Sequence, residues 1–347
     1  MENDVLVSVI IPVFNVLPFL DESLKSVTNQ TYQNIEIIII DDGSTDGSAE
    51  ICDEYAKKDK RIVVIHQENK GLSAARNKGL DIMKGELVAF LDSDDAYCSD
   101  YIESMLAMMN CEKTDIVICK YSIQDTIGKI NQDRKCDTYP SIGAGKYSRV
   151  AALRALVDGT VNHSVWNKLY KSHLWKEIRL PVGCVYEDLD TTFRIINLCE
   201  TVGVLDRVLY LYRKRSGSIL TIRSLKNNHD WVLMHDRFES FIMTNTPSIF
   251  SKEQLERIKL VWGGELLYWY GYLSWKKKDE WIESSDYLRE QIIKVGKSSG
   301  YFAAPTIVGF WMVNYCPLLY KTIFPGLFYM HQSKKWLKRM TRNSFRD

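Results

Sequence analysis

An α/β fold is predicted, with a mostly parallel central sheet, helices on both of its faces and a helical region behind it. Three observations predict it. From residue 5 to about 120, short β-rich apolar runs alternate with stretches whose apolar residues recur at helical spacing, the order that parallel strands and crossover helices produce. Three of those runs end in polar or acidic residues, so their tips should converge on one crevice at the sheet edge. Beyond about residue 222 the pattern turns helical and aromatic-rich, with no further β-rich run.

Val5 to Ile11 reads as the first strand, ended by Pro12, and Phe19 to Val27 as a helix with Leu20, Leu24 and Val27 on one face. Ile35 to Ile40 is the second strand and runs into Asp41-Asp42-Gly43. Asp46 is placed to cap the next helix, whose stripe is Ala49, Ile51, Cys52 and Tyr55. Ile62 to Ile65, Ser73 to Met83 and Glu86 to Leu91 continue as strand, helix and strand. Tyr101 to Met109 reads as a helix and Asp115 to Lys120 as a strand, after which 122–147 lose periodicity and suggest a hairpin or loop. Val150 to Val157 (helix), Leu189 to Leu198 (helix) and Val202 to Leu211 (strand) restore the pattern. The expected organisation is one α/β domain over 1–220 and a helical region over 221–347.

The net charge of +1 selects neither nucleic acid nor acidic partners. Eight cysteines show no C-x-x-C pair and no zinc spacing. With no secretory signal at Met1-Glu2-Asn3-Asp4, reduced thiols in the cytoplasm are expected.

The sharpest local feature is Asp92-Ser93-Asp94-Asp95, directly after Leu87-Val88-Ala89-Phe90-Leu91. A buried parallel strand delivers such residues to its carboxyl edge, where ligands bind in open α/β sheets. Asp92 and Asp94 are two residues apart and so point the same way on extended chain. Together they suit a hard divalent cation that holds a diphosphate.

Five segments then occur in order: Val9 to Asn15, Asp41 to Asp46, Asn69 to Asn77, Asp92 to Asp95, and Glu187-Asp188. In sequence and spacing, across roughly residues 5 to 220, they resemble the family 2 inverting glycosyltransferases of the GT-A (Rossmann-like) fold, in particular those that build bacterial capsules and exopolysaccharides. The resemblance implies a hexosyl transfer from a nucleotide sugar, UDP-linked, to a glycan or lipid-linked saccharide in cell-surface polysaccharide synthesis. It implies Mn²⁺ or Mg²⁺ on Asp94, with Asp92 holding ribose and metal-bound water and Ser93 between them. It makes Asp188 the general base of a single displacement and Glu187 its orienting neighbour. The residue-level alternative for that pair is a helix cap.

Pro12, Val13 and Asn15 are expected to read the nucleobase edge, unless that tetrapeptide is only a strand-ending turn. Asp42 is expected on the base or ribose, with Asp41 as the alternative or as a brace for Gly43-Ser44. Asn69 and Arg76 follow on a loop and helix, where a guanidinium suits an anionic ligand or a carboxylate such as Asp92. Tyr212 to Ile219 looks like a diphosphate clamp with Arg213 and Ser218 as contacts, against a solvated basic turn. Trp166 and Lys168 are candidates for the acceptor side, against a core role. Asp95 is expected to cap the following helix.

Tyr301 to Tyr320 carries no charge but is broken by Pro305, Gly309, Asn314 and Pro317, and a basic tail (Lys334, Lys335, Lys338, Arg339, Arg342) follows. That combination suggests attachment at the inner face of the cell membrane, ahead of an ordinary core segment and, last, a span. A sugar nucleotidyltransferase would need a glycine- and basic-rich loop where Pro12-Val13-Phe14-Asn15 stands. A catalytically silent assembly subunit is the other alternative, and the presence of Asp94 and Asp188 weighs against it. Processive relatives carry several spans and a Q-x-x-R-W motif, neither of which is seen.

Overall fold

A computed structural model describes residues 5–124, 142–215 and 225–246, with 248–251, 254–255, 266–267, 270, 287–293 and 313. The chain orders as β1 (Val7–Val13), α1 (Leu17–Thr28), β2 (Ile35–Asp41), α2 (Ser48–Lys58), β3 (Ile62–His66), α3 (Leu72–Ile82) and β4 (Leu87–Phe90). Then come β5 (Ala96–Tyr97), α4 (Tyr101–Glu112), β6 (Ile116–Gln124), β7 (Gly145–Ser148), α5 (Arg149–Val157), β8 (Lys168–Lys171), α6 (Glu187–Leu198), β9 (Thr201–Arg213) and α7 (Leu225–Asn245). One sheet holds all the strands in the order β3-β2-β1-β4-β8-β6-β9-β5, with β7 on β9.

Its first half is parallel, β1 lying between β2 and β4 and β2 next to β3. β8 runs antiparallel to both β4 and β6, while β9 is parallel to β6. β1 is buried along its whole length, as a strand covered by helices on both faces must be. Gly79 lets α3 lie directly on β1, since a Cβ there would stand 2.5 Å from Ile10 Cγ2. Leu20, Leu24 and Val27 are all buried, so α1 packs through the stripe read from its spacing.

Three strands were not legible. β5 has only two residues, paired with Tyr210 and Leu211 of β9. β8 falls between the helices read over 150–157 and 189–198, where no strand pattern stands, and β7 closes on Thr201–Val204 of β9. The hairpin expected over 122–147 is not one between β6 and β7, because each of them pairs with β9 instead. Residues 125–141 lie outside the described ones. Asp95 does not cap α4, which starts after Asp100; its side chain is turned to β9 instead.

By contacts the chain forms one unit of 1–222 with 230–245 and another of 223–229 with 246–347. Segment 230–245 of α7 joins the first unit rather than the second because Phe193 of α6 packs on Phe238 at 4.7 Å and Phe241 at 5.6 Å. Among the described residues no helix is long and apolar enough to cross a membrane. The segment 301–320, apart from Val313, and the basic tail lie outside them.

Candidate active site

The carboxyl ends of β1 and β2 form one wall. Asp42 is 3% exposed, and its Oδ1 accepts from Gln67 Nε2 at 2.6 Å and Lys70 N at 2.9 Å, its Oδ2 from Gly71 N at 2.7 Å. Asp41 accepts from Ser44 N at 3.0 Å and pairs with His66 Nδ1 at 2.8 Å, and that hydrogen bond raises the His66 pKa. Both carboxylates therefore stitch the loops together. Gly43 makes the turn possible: its φ is +80°, and a Cβ there would sit 3.0 Å from Asn69 N. Asn69 is thus held by its backbone beside Gly43, with its side chain exposed.

Pro12 and Val13 are buried within β1, and the Val13 carbonyl accepts from Asp42 N at 2.8 Å. Val13 packs in the hydrophobic core, and Pro12 beside it is buried as well. Asn15 has a left-handed backbone (φ 49°); its Oδ1 accepts from Thr45 N at 2.9 Å, and its own N–H donates to Ser44 Oγ at 3.2 Å.

The tip of β4 is acidic and crowded. Arg76 of α3 donates through one terminal nitrogen to Asp92 at 2.6 Å and through the other to Glu187 at 2.6 Å. Arg215 Nε donates to Asp94 Oδ2 at 2.6 Å. Burial and the charge of Asp92 raise the Asp94 pKa, with Arg215 pulling it down. Ser93 is buried between them. Asp95 is fully enclosed, accepting from Tyr210 Oη at 2.6 Å and Arg213 N at 2.7 Å. Burial, then Asp94 and Asp92, hold its pKa well above the carboxylate range.

Arg213 is 3% exposed. Its Nε donates to the Asp94 carbonyl at 2.9 Å, a terminal nitrogen pairs with Glu22, and the guanidinium lies 5.0 Å from the centre of the Phe19 ring. It braces the wall behind Asp94. Arg215, which sequence reading passed over in the same motif, is the guanidinium that reaches the Asp94 carboxylate. Alternation along an extended strand end was the available signal. Ser218 lies outside the described residues.

α6 begins with Glu187-Asp188, straight after Tyr186 in a left-handed conformation (φ 63°, ψ 28°). Burial pushes Glu187 up to about 7, against the pull of Arg76. Asp188 is half-buried and its pKa is raised by burial, with Arg76 and Lys168 opposing and Asp92 adding to the rise. The structure does not open Lys168 to an acceptor. It is fully buried, donating to Asn162 O at 3.1 Å, Asn162 Oδ1 at 3.3 Å, Asn167 Oδ1 at 3.0 Å and the Ser164 carbonyl. Burial pulls its pKa down to about 7. Trp166 is core-facing as well, 8% exposed and stacked on Tyr210 at 4.3 Å and Tyr212 at 5.5 Å.

A divalent cation fits this donor set. Arg76 and Arg215 each occupy one oxygen of Asp92 and Asp94, and the second oxygen of each carboxylate has no protein partner among the described residues. No cluster of three or more metal-ligating side chains exists among those residues, so the protein would supply two carboxylates and a phosphate-bearing ligand the rest. Mg²⁺-type sites are built that way.

Residues 8–177 match the family model described as glycosyl transferase family 2. Glycosyltransferase GlyA of Streptococcus pneumoniae serotype 4 is 36% identical over 232 residues, which is 64% of this chain and 32% of GlyA. Against that relative, then, the match spans about a third of its length. Glycosyltransferase GlyG of the same organism is 36% identical over 62% of this chain and 73% of its own. In structure, S. aureus TarS 1–349 in complex with UDP-GlcNAc superposes with a TM-score of 0.64 over 92% of this chain and 91% of TarS, at 19% identity. The mannosyltransferase PcManGT from Pyrobaculum calidifontis, in complex with GDP-Man and Mn²⁺, gives a TM-score of 0.51 over 96% and 87%, at 15% identity. At these identities the likeness is one of fold, the GT-A fold.

Proposed function

The chain belongs to glycosyl transferase family 2 and is a glycosyltransferase, and from that premise we propose that it moves a hexosyl unit, with inversion, from a UDP-sugar to a saccharide or lipid-linked saccharide. Family membership sets aside the sugar nucleotidyltransferase alternative. One observation supports the reading above the rest: two acidic motifs 95 residues apart in sequence, counted from Asp92 to Glu187, meet at one sheet edge through Arg76. Donor and acceptor chemistry require such a meeting.

Asp188 takes the proton from the acceptor hydroxyl as its oxygen bonds to the anomeric carbon. The bond from that carbon to the diphosphate breaks at the same time, and the electron pair leaves with the nucleotide. A carboxylate whose pKa burial has raised is a better base than an exposed one. Mn²⁺ or Mg²⁺ on Asp94 and Asp92 would neutralise charge on the departing diphosphate. Arg215 and, behind it, Arg213 set the charge around Asp94, and Asp42 with Asn15 shapes the wall that faces the base and ribose. UDP-GlcNAc in TarS and Mn²⁺ in PcManGT are consistent with this donor and metal.

Purified protein incubated with Mn²⁺ and a panel of UDP- and GDP-sugars tests the proposal. Donor hydrolysis or donor-induced thermal stabilisation should appear for UDP-sugars and vanish with EDTA. Activity that persists undiminished in chelator would remove the metal assignment, and response to GDP-sugars alone would correct the nucleotide.

A further inference from the structure

We propose that Arg76 is a positioning residue rather than a donor ligand: by clamping Asp92 and Glu187 at once it sets Asp188 against the leaving group. The proposal rests on the roles given above to the two acidic motifs and goes beyond them. Arg76 is 2% exposed, so it offers a nucleotide almost no surface. Its two terminal nitrogens point to carboxylates from different parts of the chain, each at 2.6 Å. Its Nε is buried with no hydrogen-bond partner among the described residues, although buried donors are almost always satisfied. The guanidinium is therefore aimed by the two carboxylates and not by the best use of its own donors.

The geometry on either side shows what the clamp holds. On one side, Gly79 brings α3 against Ile10 of β1, which places Arg76 one turn earlier within reach of the β4 tip. On the other, the turn into α6 is imposed rather than relaxed. Tyr186 is a non-glycine residue at φ 63°, a conformation that surrounding contacts must enforce. Val185 N donates to Asp230 Oδ2 at 3.0 Å before it, and Thr191 Oγ1 donates to the Glu187 carbonyl at 2.7 Å after it. Arg76 is the contact that ties this turn to the β4 tip. A planar fork holds two carboxylates at a fixed separation and orientation, which the compact, freely rotating ammonium of a lysine does not reproduce.

Full-length Arg76→Lys, Arg76→Gln, Glu187→Gln and Asp188→Asn test the proposal with Mn²⁺ present. The readouts are UDP titration calorimetry, hydrogen exchange over residues 183–191, and turnover of the best donor from the panel above. Arg76→Lys should bind UDP within about threefold of wild type and lose about tenfold or more in kcat. Its amides at 185–189 should exchange faster. Glu187→Gln should err in the same direction, and the double variant should be no worse than the poorer single, because both cut one contact. A UDP affinity that falls as far as kcat would make Arg76 a donor ligand and overturn the proposal. Full kcat in the folded fraction with only a lower thermal midpoint would reduce it to a structural brace. Should Arg76→Gln fail to fold, Arg76→Lys keeps the charge and decides the matter. A fully active Asp188→Asn would instead remove the base assignment, and so is distinguishable from a fully active Arg76→Lys beside an inactive Asp188→Asn, which removes only the clamp.

Discussion

Two acidic pairs end the strands that flank β1, Asp41-Asp42 after β2 and Asp92 with Asp94 after β4, and they are held in different ways. The Asp42 carboxylate is fixed by two backbone N–H groups and an amide. Asp92 and Asp94 are each held by one guanidinium from a distant segment, Arg76 and Arg215. Removing a carboxylate that caps backbone donors leaves those part-buried donors unpaired, a cost borne by the fold. Removing one from a crowded acidic cluster relieves like-charge repulsion, so the loss falls on function instead. On the proposed reading, the same residue type at the same place on a strand serves stability in one pair and chemistry in the other.

The largest effect should come from Asp188, the proposed base. Asp188→Asn keeps shape and hydrogen bonding but cannot take the proton, so turnover should fall by about 10²–10⁴-fold with UDP affinity unchanged. If Glu187→Gln shows the larger loss, the two roles are reversed. Asp94→Asn comes next, with turnover down about 10²–10³-fold and Mn²⁺-dependent UDP binding lost, while the thermal midpoint holds or rises. A midpoint that drops as much as that of Asp42→Ala would break the comparison.

Asp42→Ala should act on the fold first, costing about 2–4 kcal/mol for the donors it strands, read by urea unfolding. An unchanged unfolding midpoint would show that Asp42 is not the brace described here. Acid titration separates the two regions further. Burial raises Glu187 from 4.5 to about 7, so the native state binds the extra proton and stability falls as pH rises through that window. His66, raised above 6.5 by Asp41, contributes stability that is complete below that value and lost as pH climbs past its folded pKa. Glu187→Gln should flatten the first decline and His66→Gln the second, as seen in thermal midpoints from pH 4.5 to 8.5. The smallest effect is that of Gly43→Ala, about 1–3 kcal/mol for a left-handed residue whose Cβ meets the Asn69 backbone. Loss of UDP affinity without that destabilisation would place Gly43 at the ligand and not at the loop junction.

The sequence by itself determined the parallel half of the sheet and the location of the acidic motifs. Continuous apolar runs such as Ile37 to Ile40 can be buried only as central strands, and polar residues at their ends must then reach the carboxyl edge. It could not show the short antiparallel strands. β5, β7 and β8 exist because β9 and β4 present unpaired edges to them, and a two-residue or four-residue ladder has no periodicity of its own. Nor could it say which charged groups meet. Arg76 read as a ligand contact ahead of an internal pair with Asp92. Arg215 was hidden beside Arg213, and Lys168 looked like a free cation until its loop closed four oxygens around it. Strand and helix patterns follow from local spacing along the chain, which a sequence displays. The partner of a charge follows from where segments dozens of residues apart are packed, and only the tertiary structure decides that.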